Sequence, residues 1–313
     1  GFKVPLDAEI QRIVRPSQLG VMLAYFNQVS FIFILIASGT FALITRFMPV
    51  RAMFLMMSIV LFITPFYLFF SYRRLACLSS RALFSLRYDV HLTGAELLDT
   101  PSSHLLLPNH QAVMDPLLIF SNLPNHRIQP LVDDAYFSTF ATRRLLRMFD
   151  AVSVPDLHTT RRTDDIARIR NLDDIVIRAL QAGGNILFYP SGHITLDGTE
   201  HIGNRHLAHS VCNQLPPDTR IILIRINGLW GSIWSRQGVT HTPNLPLTLL
   251  RSIGLVLSGY TLRHPRRHVT IQLTDMTEAV SQWAHTLTRQ AFNQQLEAWY
   301  NASNDDNATQ PNA

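Results

Sequence analysis

An α/β domain, its sheet flanked by helices and preceded by an N-terminal transmembrane helical hairpin, is the fold class predicted by this 313-residue sequence. Three observations predict it. Two long runs near the N-terminus carry no charge. Beyond them, short Val, Ile and Leu-rich runs alternate with longer segments of helical period, and Gly or Asp-Pro signals stand at the junctions.

Phe26–Thr45 and Ala52–Tyr72 are the uncharged runs. Each has about twenty residues, enough to cross a hydrocarbon core of roughly 30 Å as a helix. A charged residue at the bilayer centre costs about 2.5–3.5 kcal/mol on insertion scales, so the lack of any charge is informative. Arg46, Pro49 and Arg51 lie in the link, which reads as a hairpin turn. The competing reading, two buried helices of a soluble core, requires a polar face that neither run offers. Lys3, Arg12 and Arg15 precede the hairpin, and Arg73, Arg74, Arg81 and Arg87 follow it. Basic residues at both outer ends place those ends in the cytoplasm, against the opposing vote of Arg46 and Arg51. The expected location is the inner, cytoplasmic membrane, with the following domain on the cytoplasmic side.

The alternating part supplies six expected strands: His104–Leu107, Ile128–Val132, Val152–Val154, Asn185–Tyr189, Ile221–Ile226 and Val269–Leu273. Interleaved with helical segments, they predict a largely buried sheet. Over Asp164–Ala182, Ile166, Ile169, Leu172, Ile175, Val176 and Leu180 form one apolar face, and Gly183-Gly184 ends the helix. A last helix is expected over Glu278–Tyr300, with Val280, Trp283, Leu287, Ala291, Leu296 and Trp299 on one side. The chain thus divides into a membrane anchor (1–80), a soluble domain (81–300) and a polar tail or linker (301–313).

Twenty-seven Lys+Arg against 22 Asp+Glu give a net charge of +5, with a pI near 9.6. That balance suits an anionic membrane surface or an anionic soluble partner. No basic stripe or aromatic sheet face points to nucleic acid, and no G-x-G-x-x-G or G-x4-G-K cradles a nucleotide. Cys77 and Cys212 stand far apart, in neither metal nor disulfide spacing. Cys77 follows the second apolar run, where lipidation competes with a plain structural role. His201, His206 and His209 lack the completing ligand spacing of a zinc site, so no metal is expected. Two tail triplets, at 301–303 and 307–309, are formal glycosylation acceptors expected to be unused. Leu229–Arg236 mixes Trp with small residues and reads either as a membrane-interface segment or as ordinary packing.

The sharpest chemical signal is Leu105-Leu106-Leu107-Pro108-Asn109-His110-Gln111-Ala112-Val113-Met114-Asp115-Pro116. An apolar strand runs into Asn109-His110, and Asp115-Pro116 reads as an N-cap followed by a first-turn proline. His110 then sits in a strand-to-helix loop, at the sheet edge where α/β proteins bind ligands. A carboxylate on one imidazole nitrogen fixes the tautomer and readies the other as a general base. The plainer alternative leaves Asp115 as a cap and His110 as a loop histidine.

The Asn-His-x4-Asp block resembles the first signature of the glycerolipid and lysophospholipid acyltransferase family. That resemblance implies His110 as the base activating an acceptor hydroxyl, supported by Asp115. Phe188-Tyr189-Pro190-Ser191-Gly192-His193-Ile194-Thr195 resembles the family's second, acceptor-binding block, with two departures. Ser191 replaces the usual Glu, and His193 or Ile194 stands where an Arg is usual. Asn109, Ser191, Gly192 and His193 are the implied substrate-binding residues, and Arg161, Arg162 and Arg205 are candidates for holding the acceptor's charge. Phe149–Pro155 and Ile221–Gly228 match two weaker blocks, so the resemblance spans roughly 85–250. It is nearest to the acyltransferase modules of bacterial bifunctional proteins that reacylate 2-acylglycerophosphoethanolamine and carry an acyl-activating ligase. Val4–Gln11 and Leu296–Asn301 resemble the joins to a transporter-like region and to a ligase domain, implying a longer chain.

The implied reaction is acyl transfer from acyl-CoA or acyl carrier protein to the free hydroxyl of a lysophospholipid, with no cofactor. Backbone N–H groups near Gly192 are the candidate oxyanion donors. Three other readings stay open: the same reaction on a lyso-aminolipid or other acceptor, a non-catalytic lipid-binding module, and a His-Asp hydrolase.

Overall fold

A computed structural model describes residues 16–137, 139–154, 172–239, 242–243, 245–258 and 264–302. Lys3, Arg12, Arg15, the 4–11 segment, Arg161, Arg162, Ile166, Ile169 and the 307–309 triplet lie outside the described residues. The chain divides into two compact units, Gly1–Phe66 and Tyr67–Ala313.

The first unit contains α1 (Pro16–Ile44) and all but the last turn of α2 (Val50–Ser71). Within them Gln18–Ile44 and Val50–Phe69 are long and apolar enough to cross a membrane. At 1.5 Å per residue they reach about 40 and 30 Å. Only 0% and 6% of their most apolar stretches are buried inside the protein, unlike the core helices of a soluble domain. Ser30, Ser58 and Thr64 donate to the carbonyls of Phe26, Phe54 and Val60, four residues back. Their hydroxyls are thereby satisfied within the helix.

The second unit holds a seven-stranded sheet: β1 (Tyr88–Thr93), β2 (Ser103–Pro108), β3 (Ile128–Asp133), β4 (Val152–Val154), β5 (Asn185–Leu187), β6 (Thr219–Asn227) and β7 (Arg267–Asp275). Its order is β1-β7-β6-β2-β5-β3-β4. β2 to β6 run parallel, and β7 pairs antiparallel to β6 and parallel to β1. All six residues of β2 are buried, as a strand covered on both faces requires. Alternation then sorts the side chains. Leu106, Ile222, Ile224 and Ile226 enter one core, with Cys77 of α3 (Arg73–Phe84) and Leu118 and Ile119 of α4 (Asp115–Asn122). Leu105, Leu107, Ile221 and Leu223 enter the other, with α6 (Leu172–Gln181), α7 (Leu207–Asn213), α9 (Thr277–Thr286) and α10 (Arg289–Asn301). Among the described residues the remaining α-helices are α5 (Phe140–Met148) and α8 (Leu245–Leu257), so the domain is a helix–sheet–helix α/β fold as predicted.

Three expectations change in detail. The last helix is two: the backbone becomes extended at Leu287, and Thr288 caps α10 by accepting the Ala291 N–H. In α6, Leu172, Val176 and Leu180 are buried, whereas Ile175 is 40% exposed. Asp115 is not an N-cap. Met114 holds that position, and the Asp115 side chain turns back to the loop before the helix.

Candidate active site

Three loops meet at the carboxyl ends of parallel neighbours: Asn109–Met114 after β2, the 188–206 segment after β5, and the 228–236 segment after β6. The first is braced by the third. Asn109 Nδ2 donates to Ile226 O at 3.0 Å, and its Oδ1 accepts Ile226 N–H at 2.7 Å. This buried amide thus ties the loop to β6 rather than pointing a free group at a ligand. Gln111 Oε1 accepts the Leu229 and Trp230 N–H groups at 3.2 and 3.3 Å, and Val113 N–H donates to Trp234 O.

His110 is held from every side. Its Nδ1 lies 2.9 Å from Asp115 Oδ2. The same oxygen accepts the Gln111 and Ala112 N–H groups at 2.7 and 2.9 Å. Asp115 is fully buried, while the His110 side chain is 15% exposed. An imidazole facing a buried carboxylate carries its proton on that nitrogen, which leaves Nε2 with a free lone pair. The Tyr189 ring stacks on His110 with centroids 3.9 Å apart. The backbone of His110 donates to Glu200 Oε2 at 2.9 Å and accepts Thr195 N–H at 2.9 Å. Such over-determination fixes the ring direction, as base catalysis needs.

Ser191 is buried beside Glu200, and its hydroxyl donates to His193 O. His193 Nδ1 donates to Ser191 O at 2.7 Å. Burial, followed by the nearby charges of Arg205 and Arg236, pushes the His193 imidazole below its usual range, against the pull of that carbonyl. Gly192 has φ +65 and open space where a Cβ would stand. Its own N–H donates to Tyr189 O at 3.0 Å. Arg205 is exposed and reaches the site through its field on His193. His201 faces Asp197, His206 faces Asp173 and His209 packs edge-on against Phe292, so the three histidines serve separate partners.

Glu200, Tyr189 and Gln111 carry site roles that the sequence reading did not assign. Glu200 is 3% exposed, and its Oε1 has no partner among the described residues. Burial pushes its carboxyl up, partly offset by the His110 N–H that it accepts. It reaches this place because α10 clasps the 200–205 backbone. Asn301 bonds both Glu200 N–H and C=O, Glu297 accepts Ile202 and Gly203 N–H, and Asn293 donates to Gly203 and Arg205 C=O. Asn293, Glu297 and Asn301 recur at i+4, one face of the helix. That spacing is visible in the sequence, but its target is not.

Two outcomes follow for Glu200. A raised carboxyl pKa in the folded state means stability is greatest below the unfolded carboxyl range and falls as pH rises through the raised value. Thermal melts from pH 4 to 8 should show this slope in the wild type and a flatter one in Glu200→Gln. Glu200→Ala leaves the His110 N–H without its acceptor, costing about 1–3 kcal/mol, and lowers kcat more than Glu200→Gln does. Equal kcat for the two variants would separate Glu200 from the placement of His110.

No protein-family model matches the sequence, and no curated protein matches it. Among solved structures, it is similar to the crystal structure of PlsC, the 1-acyl-sn-glycerophosphate (LPA) acyltransferase from Thermotoga maritima. The identity is 14% and the TM-score 0.42, over 91% of this chain and 98% of that one.

Proposed function

We propose that this protein is a membrane-bound O-acyltransferase that moves a fatty acyl group from acyl-CoA or acyl carrier protein to the free hydroxyl of a lysophospholipid. The observation that carries the proposal is the His110–Asp115 pair: a partly exposed imidazole on a fully buried carboxylate, at the carboxyl edge of a parallel sheet. The acceptor oxygen attacks the thioester carbonyl carbon while His110 Nε2 takes the hydroxyl proton. The C–S bond then breaks, and the leaving thiolate recovers that proton from His110. A thioester is activated enough for this direct transfer. Asp115 stabilises the transient imidazolium. Arg205 and Arg236 flank His193 and supply positive charge beside the site for an anionic acceptor.

The two apolar helices would anchor this chemistry at its lipid substrate, with the 67–302 unit on the cytoplasmic face. α8 supports a membrane setting from the second unit: Leu247, Leu249, Leu250 and Ile253 are all exposed there.

The test is transfer of labelled acyl groups from acyl-CoA or acyl carrier protein to a panel of lysolipids by the detergent-purified protein. Product should require the lysolipid, and the preferred lysolipid names the acceptor. Release of free fatty acid without any acceptor would instead identify a hydrolase. Lipid binding without turnover would leave a non-catalytic module.

A further inference from the structure

A concavity of about 600 Å³ shares no lining residue with the His110 site. Five of its nine lining residues are arginines, Arg73, Arg74, Arg127, Arg144 and Arg147, and none is acidic. They come from separate elements: the first turn of α3, the approach to β3, and one face of α5, where Arg144 and Arg147 stand three apart. Among the described residues, the partners of Arg73, Arg74, Arg127 and Arg147 include one carboxylate. Arg127 reaches Asp150 at 3.3 Å, with both side chains well exposed. Arg73 donates to His126 O and lies over the Phe149 ring, yet its Nε is a buried donor without a partner among the described residues. Arg74 and Arg147 have no carboxylate partner among the described residues.

The local fold sharpens the imbalance. Arg73 and Arg74 open α3, where the helix dipole is positive and disfavours cations. The N-cap, Tyr72, makes no side-chain cap bond, and the first N–H groups of a helix have no intrahelical acceptor. A cluster of guanidinium groups set against a helix N-terminus is unfavourable alone and favourable around an anion. Ser71, also in the lining, follows the apolar Val50–Phe69 span by two residues.

We propose that this arginine cavity is a phosphate-binding site, with Arg74 and Arg147 as its principal free forks. A phosphate can reach it from two sources, the headgroup of an anionic membrane lipid or the soluble part of a coenzyme A thioester. The choice of sources rests on the acyl-transfer reading, but the site is tested by binding alone, so the two can fail separately. Full-length protein in neutral detergent is titrated with dioctanoylphosphatidylglycerol, coenzyme A and inorganic phosphate, read by native mass spectrometry and by melting temperature. The wild type should bind at least one probe. Affinity should drop at least tenfold in Arg74→Gln/Arg147→Gln, and should stay at the wild-type value in Arg251→Gln, an exposed arginine on α8. Both variants should melt like the wild type without ligand, since the substituted side chains are exposed. Saturation by the lipid assigns the site to the headgroup, and saturation by coenzyme A assigns it to the donor. The proposal is overturned if the wild type binds none of the three, or if the double variant binds them as well as the wild type.

Discussion

His110→Ala should lower kcat for acyl transfer by about 10²–10⁴-fold, the range that a positioned general base supplies. Its effect on folding should be small. The ring is partly exposed, and its loss removes one stacking contact and one hydrogen bond. Asp115 behaves differently because its Oδ2 does two jobs. It orients His110, and it accepts the buried Gln111 and Ala112 N–H groups. Asp115→Ala strands both N–H groups at about 1–3 kcal/mol each, so it should lose activity and stability together. Asp115→Asn keeps one acceptor oxygen for the loop and gives up the charge. Its melting temperature should therefore fall much less than that of Asp115→Ala, while its kcat falls nearly as far as that of His110→Ala. Steady-state kinetics beside thermal melts check the series. If His110→Ala retains wild-type kcat, the base lies elsewhere and the acyl-transfer mechanism given above fails.

What could be read in the sequence follows from range. Asn109, His110 and Asp115 sit within seven residues, so strand, loop and helix start could be placed together and the His–Asp pair foreseen. The direction of Asp115 could not. An Asp-Pro pair looks like a cap because caps depend on local backbone alone, whereas this carboxylate turns back to a buried loop. Six strands were foreseen because apolar side chains on both faces leave unbroken runs such as Leu105–Leu107. β1 has no such run: it lies at a sheet edge, and its Tyr88, Val90 and Leu92 alternate with polar residues. Glu200 was illegible for a different reason. It reaches His110 across 90 residues and is held there by α10, a further hundred residues along. No local pattern marks such a residue. Arg73 and Arg74 stand out in the sequence as charges beside an apolar run, but their convergence with Arg127, Arg144 and Arg147 exists only in the folded chain.

The largest stability effect is expected at Gly228, where β6 turns into the loop bracing the site. Its φ is +93, and a Cβ there would stand 2.2 Å from His268 O, a backbone atom of β7. A flexible side chain could move aside, but β7 is fixed by its ladders to both β6 and β1. Arg267 tightens the same corner by donating to Gly228 O and Trp230 O. Gly228→Ala must then either distort the sheet or abandon the turn, costing upwards of about 3 kcal/mol when strain and clash combine. For a domain of this size that is on the order of 10 °C in Tm. Gly183→Ala is the control. Its φ is +79, but no atom lies within 4 Å of the added Cβ, so it reports the backbone penalty alone. The excess loss in Gly228→Ala measures the clash. Activity should fall further than the folded fraction does, because the displaced Leu229 and Trp230 N–H groups are those that hold Gln111 beside His110. If the two variants melt together, β7 yields to the methyl group, and the corner is softer than its close approach implies.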